Sequence, residues 1–413
     1  MRSNFGVDIK IDRSRSGFLR RRRRNGGSAA LIIVLAAVAG IGWLLLQTRL
    51  GDGPSFSSKS ATARPTVVVT PTRSVDEFLR AGTNAESSGT YRSAMAALDQ
   101  ASRRRPSDAA LHSRIARLHV FVNELVLGEQ RARKAVALDP QNAAAHAALC
   151  MTLDRQKRYD EAEVECDLAV QLAPDLVLAR AVAAELSVDR GDFDAAQKHI
   201  DAALQREPNN TDVLRAQGYM HYIKGDFDAA LAAWRHALDV NPNLPIVLVD
   251  IAKVYIMWAW ASANATDIYS NADAAIELLR AAVAIDDRNA EAYERLGEAY
   301  RIRGEFGKAA VVLDKSVELD STRPTAFTRR GVLRFQQYAF LQAIDDFTMA
   351  LSLTKQISGT LSATDYTFLG YSQQLAGRCS EARTTMNSAI ELFPGDGSLV
   401  ASAQEIDGRC AGQ

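Results

Sequence analysis

His146, Cys150 and Cys166 are the residues of this 413-residue chain whose types and spacing come nearest to metal chemistry. His146 and Cys150 stand four apart, one helical turn, and an antiparallel partner helix would bring Cys166 alongside. Imidazole and thiolate together make a tetrahedral metal site. All three also fall at interior positions of the pattern described below, where small apolar thiols are buried without any metal. That plainer reading is adopted, so neither metal nor cofactor is expected. No Gly-rich phosphate loop opens a helix, and neither H-E-x-x-H nor G-x-S-x-G occurs. The chain is not expected to be an enzyme.

The elements that carry these residues are helices set by a fixed period. With 47% apolar and 24% charged residues the chain is not a disordered one, and abundant alanine with 7% aromatics favours helix over sheet. Pro106, Pro140, Pro174, Pro208 and Pro242 follow one another at intervals of 34, the mark of a solenoid. If the proline is place 32, the first unit starts at Val75. Place 20 is then Ala94, Gly128, Ala162, Ala196 and Ala230, and place 27 is Ala101, Ala135, Ala169, Ala203 and Ala237. These small residues share one helical face and let two helices approach closely. Gly89, Gly191 and Gly225 at place 15 turn the first helix of a unit into the second, and the proline stops the second. A sixth unit, Ile246 to Ile285, carries eleven extra residues at about 259–271, and three more units follow, around Tyr293, Pro324 and Tyr366. The expectation is all-α: about nine helix pairs over residues 75–396, closed by a capping helix in 397–413 that covers the last apolar face.

Helical hairpins also pair the cysteines. Residues equidistant from a turn face each other; Cys150 and Cys166 are each eight residues from Arg158, and Cys379 and Cys410 lie sixteen before and fifteen after Gly395. Outside the cytoplasm oxidation is permitted, which makes Cys379–Cys410 and, less favoured, Cys150–Cys166 candidate disulfides; the alternative is four free buried thiols, since facing positions alone do not ensure the required Cβ distance.

The period, the small-residue places and the turn glycines resemble the tetratricopeptide repeat family over about residues 75–396. Place 4 departs from it, with Phe78, His112, His146, Arg180 and Leu214 where the family has Trp. The resemblance implies a right-handed superhelix whose concave groove binds a peptide or protein and performs no chemistry. It implies that places 2, 5, 9 and 12 of each first helix line that groove. Carried over, these are Met151, Asp154 and Glu185, then Arg215, Tyr219 and Tyr222, then Val249, Lys253 and Ile256, then Glu294, Glu298 and Arg301, with Phe335 and Tyr371 later. Arg215, Tyr219, Tyr222 and Lys253 put two rings beside two cations, a combination enriched where binding energy concentrates. The family's clamp for chaperone C-termini needs Lys and Asn where this chain has Leu79 and Thr83, so that partner is not expected. Trp258 and Trp260 either mark a second site on an insertion projecting from the edge, or extend and pack a longer first helix.

Ahead of the array, residues 29–47 read as a single transmembrane helix: Ala29 to Leu46 is a run of eighteen residues without a charge. Arg20, Arg21, Arg22, Arg23 and Arg24 precede it and would keep residues 1–28 cytoplasmic. Residues 48–74 read as an extended linker. The formal net charge is zero, but residues 1–28 hold nine basic and two acidic groups, so the remainder carries seven net negative charges. Such a body is a poor match for phosphates, and no nucleic-acid partner is expected. Two function classes follow: a membrane-anchored scaffold binding a protein or peptide on the extracytoplasmic side, or an organelle docking receptor with its body in the cytosol. An enzyme using the repeats to hold substrate ranks below both. Oligomeric state is not fixed by the residues.

Overall fold

The structure, a computed structural model, describes residues 73–411 apart from 357–358. The expected transmembrane helix 29–47, the basic segment 1–28 with Arg20–Arg24, and all but the end of the linker lie outside the described residues. Among the described residues no helix is long and apolar enough to cross a membrane.

Among the described residues nineteen α-helices make nine antiparallel pairs and a cap. The first three pairs are α1 (Val75–Ser87) with α2 (Tyr91–Arg104), α3 (Ala109–Phe121) with α4 (Leu125–Leu138), and α5 (Ala143–Arg155) with α6 (Tyr159–Leu172). Next come α7 (Val177–Asp189) with α8 (Phe193–Arg206), α9 (Thr211–Ile223) with α10 (Phe227–Val240), and α11 (Pro245–Ala261) with α12 (Ala265–Ile285). The last three are α13 (Ala290–Ile302) with α14 (Phe306–Leu319), α15 (Pro324–Gln336) with α16 (Phe340–Gln356), and α17 (Ala363–Leu375) with α18 (Cys379–Leu392). The cap is α19 (Gly397–Cys410).

Local chemistry sets each boundary. Proline disfavours helical backbone in the residue before it, so Arg105, Asp139, Ala173, Glu207 and Asn241 leave the helical region and end the second helices. Two residues beyond the proline, Asp108, Asn142 or Asn210 caps the next first helix by accepting a backbone N–H. Between the helices of a pair, place 15 is left-handed and the next N–H reaches back five residues, as Thr90 does to the Ala85 carbonyl at 2.9 Å.

The eleven extra residues of the sixth unit form no loop. The first helix, α11, has 17 residues where α9 has 13, and its partner α12 has 21 where α10 has 14. The hairpin is extended along its own axis, and Asn264 caps the longer second helix.

The first pairs also touch pairs far ahead in the sequence. Arg117 on α3 donates to Asp212 at the start of α9, 2.7 Å away. A Cβ at Gly89, in the α1–α2 turn, would collide with the Asn243 carbonyl oxygen and approach Ile285 and Pro245. The turn edge of pairs 1 and 2 thus stacks on the loop edge between pairs 4 and 7. A cavity of about 370 Å³ remains inside this seam, bounded by Arg92, Glu124, Arg155, Lys253, Glu291 and Arg323 among others.

Candidate partner-binding site

The side chains expected to line an open groove are largely engaged with one another. Glu185 on α7 accepts from Arg155 on α5 at 3.0 Å and from Arg215 on α9. The Tyr219 hydroxyl donates to Asp189. Beside them Asp154 is buried, and its Oδ1 finds no partner among the described residues. Burial first, then the negative charges of Asp189 and Glu185, push the Asp154 carboxyl up to about 8. Burial, reinforced by Asp189, likewise raises the Tyr219 hydroxyl.

Lys253 sits between Asp250 and Glu291, 3.0 Å from each. Burial alone would lower its ammonium, but the two carboxylates outweigh burial and raise it. Burial alone would raise Glu291; Lys253, Arg323 and Arg295 hold it at about 2 instead. Further along, Glu294 is fully buried and takes Arg329 at 2.7 Å, Thr325 at 2.8 Å and Arg323 at 3.3 Å. Pairs like these fix geometry more than they add stability, because desolvation cancels much of the attraction.

The expectation of a continuous open trough is therefore corrected. Arg215, Ile256 and Glu298 are buried and offer no groove surface. Tyr219, Tyr222, Lys253, Phe335 and Tyr371 are half-buried. Tyr222 packs against Phe227 and Trp234, Phe335 against Phe340 and Phe368, and the Tyr371 hydroxyl donates to Glu405 on the cap at 2.5 Å. The first helices approach closely enough for most of their polar side chains to pair with one another, with Asp154 Oδ1 left over.

Trp260 is the exception among the residues singled out. It stands in the extension of α11, 55% exposed, and its Nε1 donates to Glu298 at 3.3 Å. The Arg301 guanidinium lies 4.8 Å from its ring centre. Trp258 turns elsewhere and meets Tyr255 edge-on. The extension thus carries Trp260 to the face of the first helices, beside two residues expected in the groove, and not to a separate outer site.

Both cysteine pairs are disulfides. Cys150 is bonded to Cys166 with Cα atoms 5.3 Å apart, and Cys379 to Cys410 at 5.7 Å. His146 is engaged too, its Nδ1 2.6 Å from Glu165 and its Nε2 3.0 Å from the Pro140 carbonyl. Neither sulfur nor ring nitrogen is left to hold a metal there. The residues that spacing alone missed are the arginines: Arg155, Arg323 and Arg329 lie outside the expected groove places, yet reach it on long side chains.

Residues 182–245 and 270–324 match the tetratricopeptide repeat family. No curated protein matches the chain. Among solved structures, the crystal structure of the APC/C hetero-tetramer Cut9–Hcn1 is similar at a TM-score of 0.60 and 12% identity, over 81% of this chain and 67% of that one. The human IFIT1 dimer with m7Gppp-AAAA is similar at 0.52 and 17%, over 78% and 80%. At these identities the likeness is one of fold.

Proposed function

We propose that this array of tetratricopeptide repeats is a membrane-tethered scaffold that holds a protein or peptide partner against its first-helix face, outside the cytoplasm. The observation that carries the reading is Trp260. An exposed indole oriented by Glu298 and stacked under Arg301 loses little freedom when a partner covers it, and Trp and Arg dominate binding hot spots. The polar network behind it holds the face rigid. Placement outside the cytoplasm is supported by the pairing of all four cysteines, which an oxidising compartment permits, and by Arg20–Arg24 ahead of the uncharged run.

Two measurements test it. A photoreactive residue in place of Trp260 should capture a polypeptide in intact cells, and Arg301→Ala should reduce that capture about tenfold; capture of nothing overturns the binding reading. Alkylation of the denatured chain without reduction should leave all four cysteines unmodified. Four alkylated cysteines would place the body in the cytosol.

A further inference from the structure

Among the described residues four half-buried arginines lie over an aromatic ring: Arg117 over Phe121, Arg301 over Trp260, Arg303 over Tyr269 and Arg330 over Phe327. A guanidinium stacked in this way is held in one plane, so its edge presents N–H groups ready for a carboxylate. Three of the four have one. Arg117 donates to Asp212 at 2.7 Å, Arg303 to Asp273 at 2.9 Å and Arg330 to Asp346 at 2.7 Å. Arg303 matches the geometry of Arg301 most nearly, 4.7 Å from its ring centre against 4.8 Å. Arg301 forms no ion pair among the described residues, and its hydrogen bond runs 3.4 Å to the side-chain oxygen of Gln336.

Glu298 cannot make up the difference. It already receives Arg329 at 2.7 Å, Arg295 at 3.4 Å and the Trp260 Nε1 at 3.3 Å. Burial lowers the Arg301 guanidinium from its ordinary value by more than Glu298 raises it, and the like charge of Arg329 lowers it further. Elsewhere on the face of the first helices Arg155, Arg215, Lys253, Arg323 and Arg329 all meet carboxylates. One half-buried positive charge is therefore left over, and it lies against an indole that is 55% exposed. A small inorganic anion would satisfy Arg301 and leave the indole in water. A polypeptide satisfies both, because a carboxylate and a neighbouring side chain arrive together.

We propose that Arg301 and Trp260 select an acidic segment of the partner. A side-chain carboxylate of that segment docks on the Arg301 guanidinium, as Asp273 docks on Arg303, and the residue beside it covers the open surface of the indole. The inference rests on the reading of Trp260 as the partner contact and adds the partner's charge. A basic segment would bring like charge to an unpaired guanidinium and is rejected.

The test uses the full chain in phosphatidylcholine vesicles and two peptides carrying the same dye. Both are acetylated and amidated; one repeats Asp-Phe-Glu and the other Asn-Phe-Gln. The acidic peptide should bind about tenfold more tightly, the worth of one charge-assisted pair. Arg301→Gln should bring the two affinities within about twofold of each other. Arg301 has no ion pair to break, so this variant folds. Trp260→Ala should weaken both peptides alike, since both carry the ring that covers the indole. Equal binding of the two peptides, no binding of either, or a preference that Arg301→Gln leaves in place overturns the proposal. Photocapture from position 260 in cells would then still uphold the scaffold reading, with a partner of another charge.

Discussion

Place 15 has a left-handed backbone whatever residue stands there: φ is 80° at Gly191, 60° at Lys157 and 60° at Asn123. The hydrogen bonds that close the turn impose the conformation, and the side chain only sets its cost. Left-handed backbone costs a non-glycine residue about 1–2 kcal/mol, against about 0.5–1 kcal/mol of extra chain entropy lost by glycine. Lys157→Gly should therefore stabilise the protein by about 0.5–1 kcal/mol in denaturant unfolding, and Asn123→Gly by less, since Asn tolerates this region. Asp154 gives a prediction of opposite sense. Its carboxyl binds a proton more tightly folded than unfolded, so the stability it contributes is present at low pH and lost as pH rises from about 4 towards 8. Asp154→Asn should flatten the fall in stability across that window, read by unfolding at a series of pH values. At this scale the glycine turns and facing cysteines were legible, because hairpin symmetry is a matter of counting. The ion network was not, although it left a trace: Glu185 lies 30 residues from both Arg155 and Arg215, just under one repeat. Opposite charges at that spacing meet between neighbouring first helices, a pattern that groove places alone do not reveal.

Between the two helices of a pair, one contact is repeated down the array. A Cβ at Gly82 would meet Leu98, one at Gly218 would meet Trp234, one at Gly331 would meet Phe347 and one at Gly370 would meet Met386. Each time a residue too small to obstruct faces one sixteen positions on, where the helices come closest. Ala116 and Ala132 occupy the same places in pair 2, and Cys150 and Cys166, also sixteen apart, in pair 3. The disulfide thus stands in a site other pairs fill by packing alone. Replacing both cysteines by alanine reproduces the pair 2 contact and removes only the covalent link, so stability should fall by about 3 kcal/mol with the fold intact. A loss well below that would mean that the unfolded chain already holds the hairpin together. The eleven added residues of pair 6 obey the same logic. Their number was legible, but whether they looped out or lengthened the helices was settled by Asn264, whose side chain accepts the Asp267 N–H at 2.9 Å and starts α12 early. An Asn three residues before an Asp was the available signal.

The seam is a property of the whole array, and here the 34-residue period falls silent. Each pair is rotated slightly from the last, and only the sum of those rotations decides whether pair 1 reaches pair 6. Local pattern fixes the pair, while side chains between pairs fix the rotation. That sum turned an expected groove into a cavity of about 370 Å³ lined largely by charged groups. Gly89 allows the hypothesis of closure to be separated from ordinary turn strain. Gly89→Val and Gly191→Val impose the same left-handed penalty of about 1–2 kcal/mol. A side chain at Gly191 meets nothing within 4 Å, whereas one at Gly89 runs into Asn243 and Ile285. The Gly191 variant should lose that stability and keep its radius of gyration. The Gly89 variant should part the seam: scattering should report a larger radius at unchanged helicity, and amide exchange around Asn243 to Ile246 should speed up about tenfold as the covering turn lifts away. If both variants scatter alike, the first pairs are not held to the sixth by this contact, and the concave face opens without it.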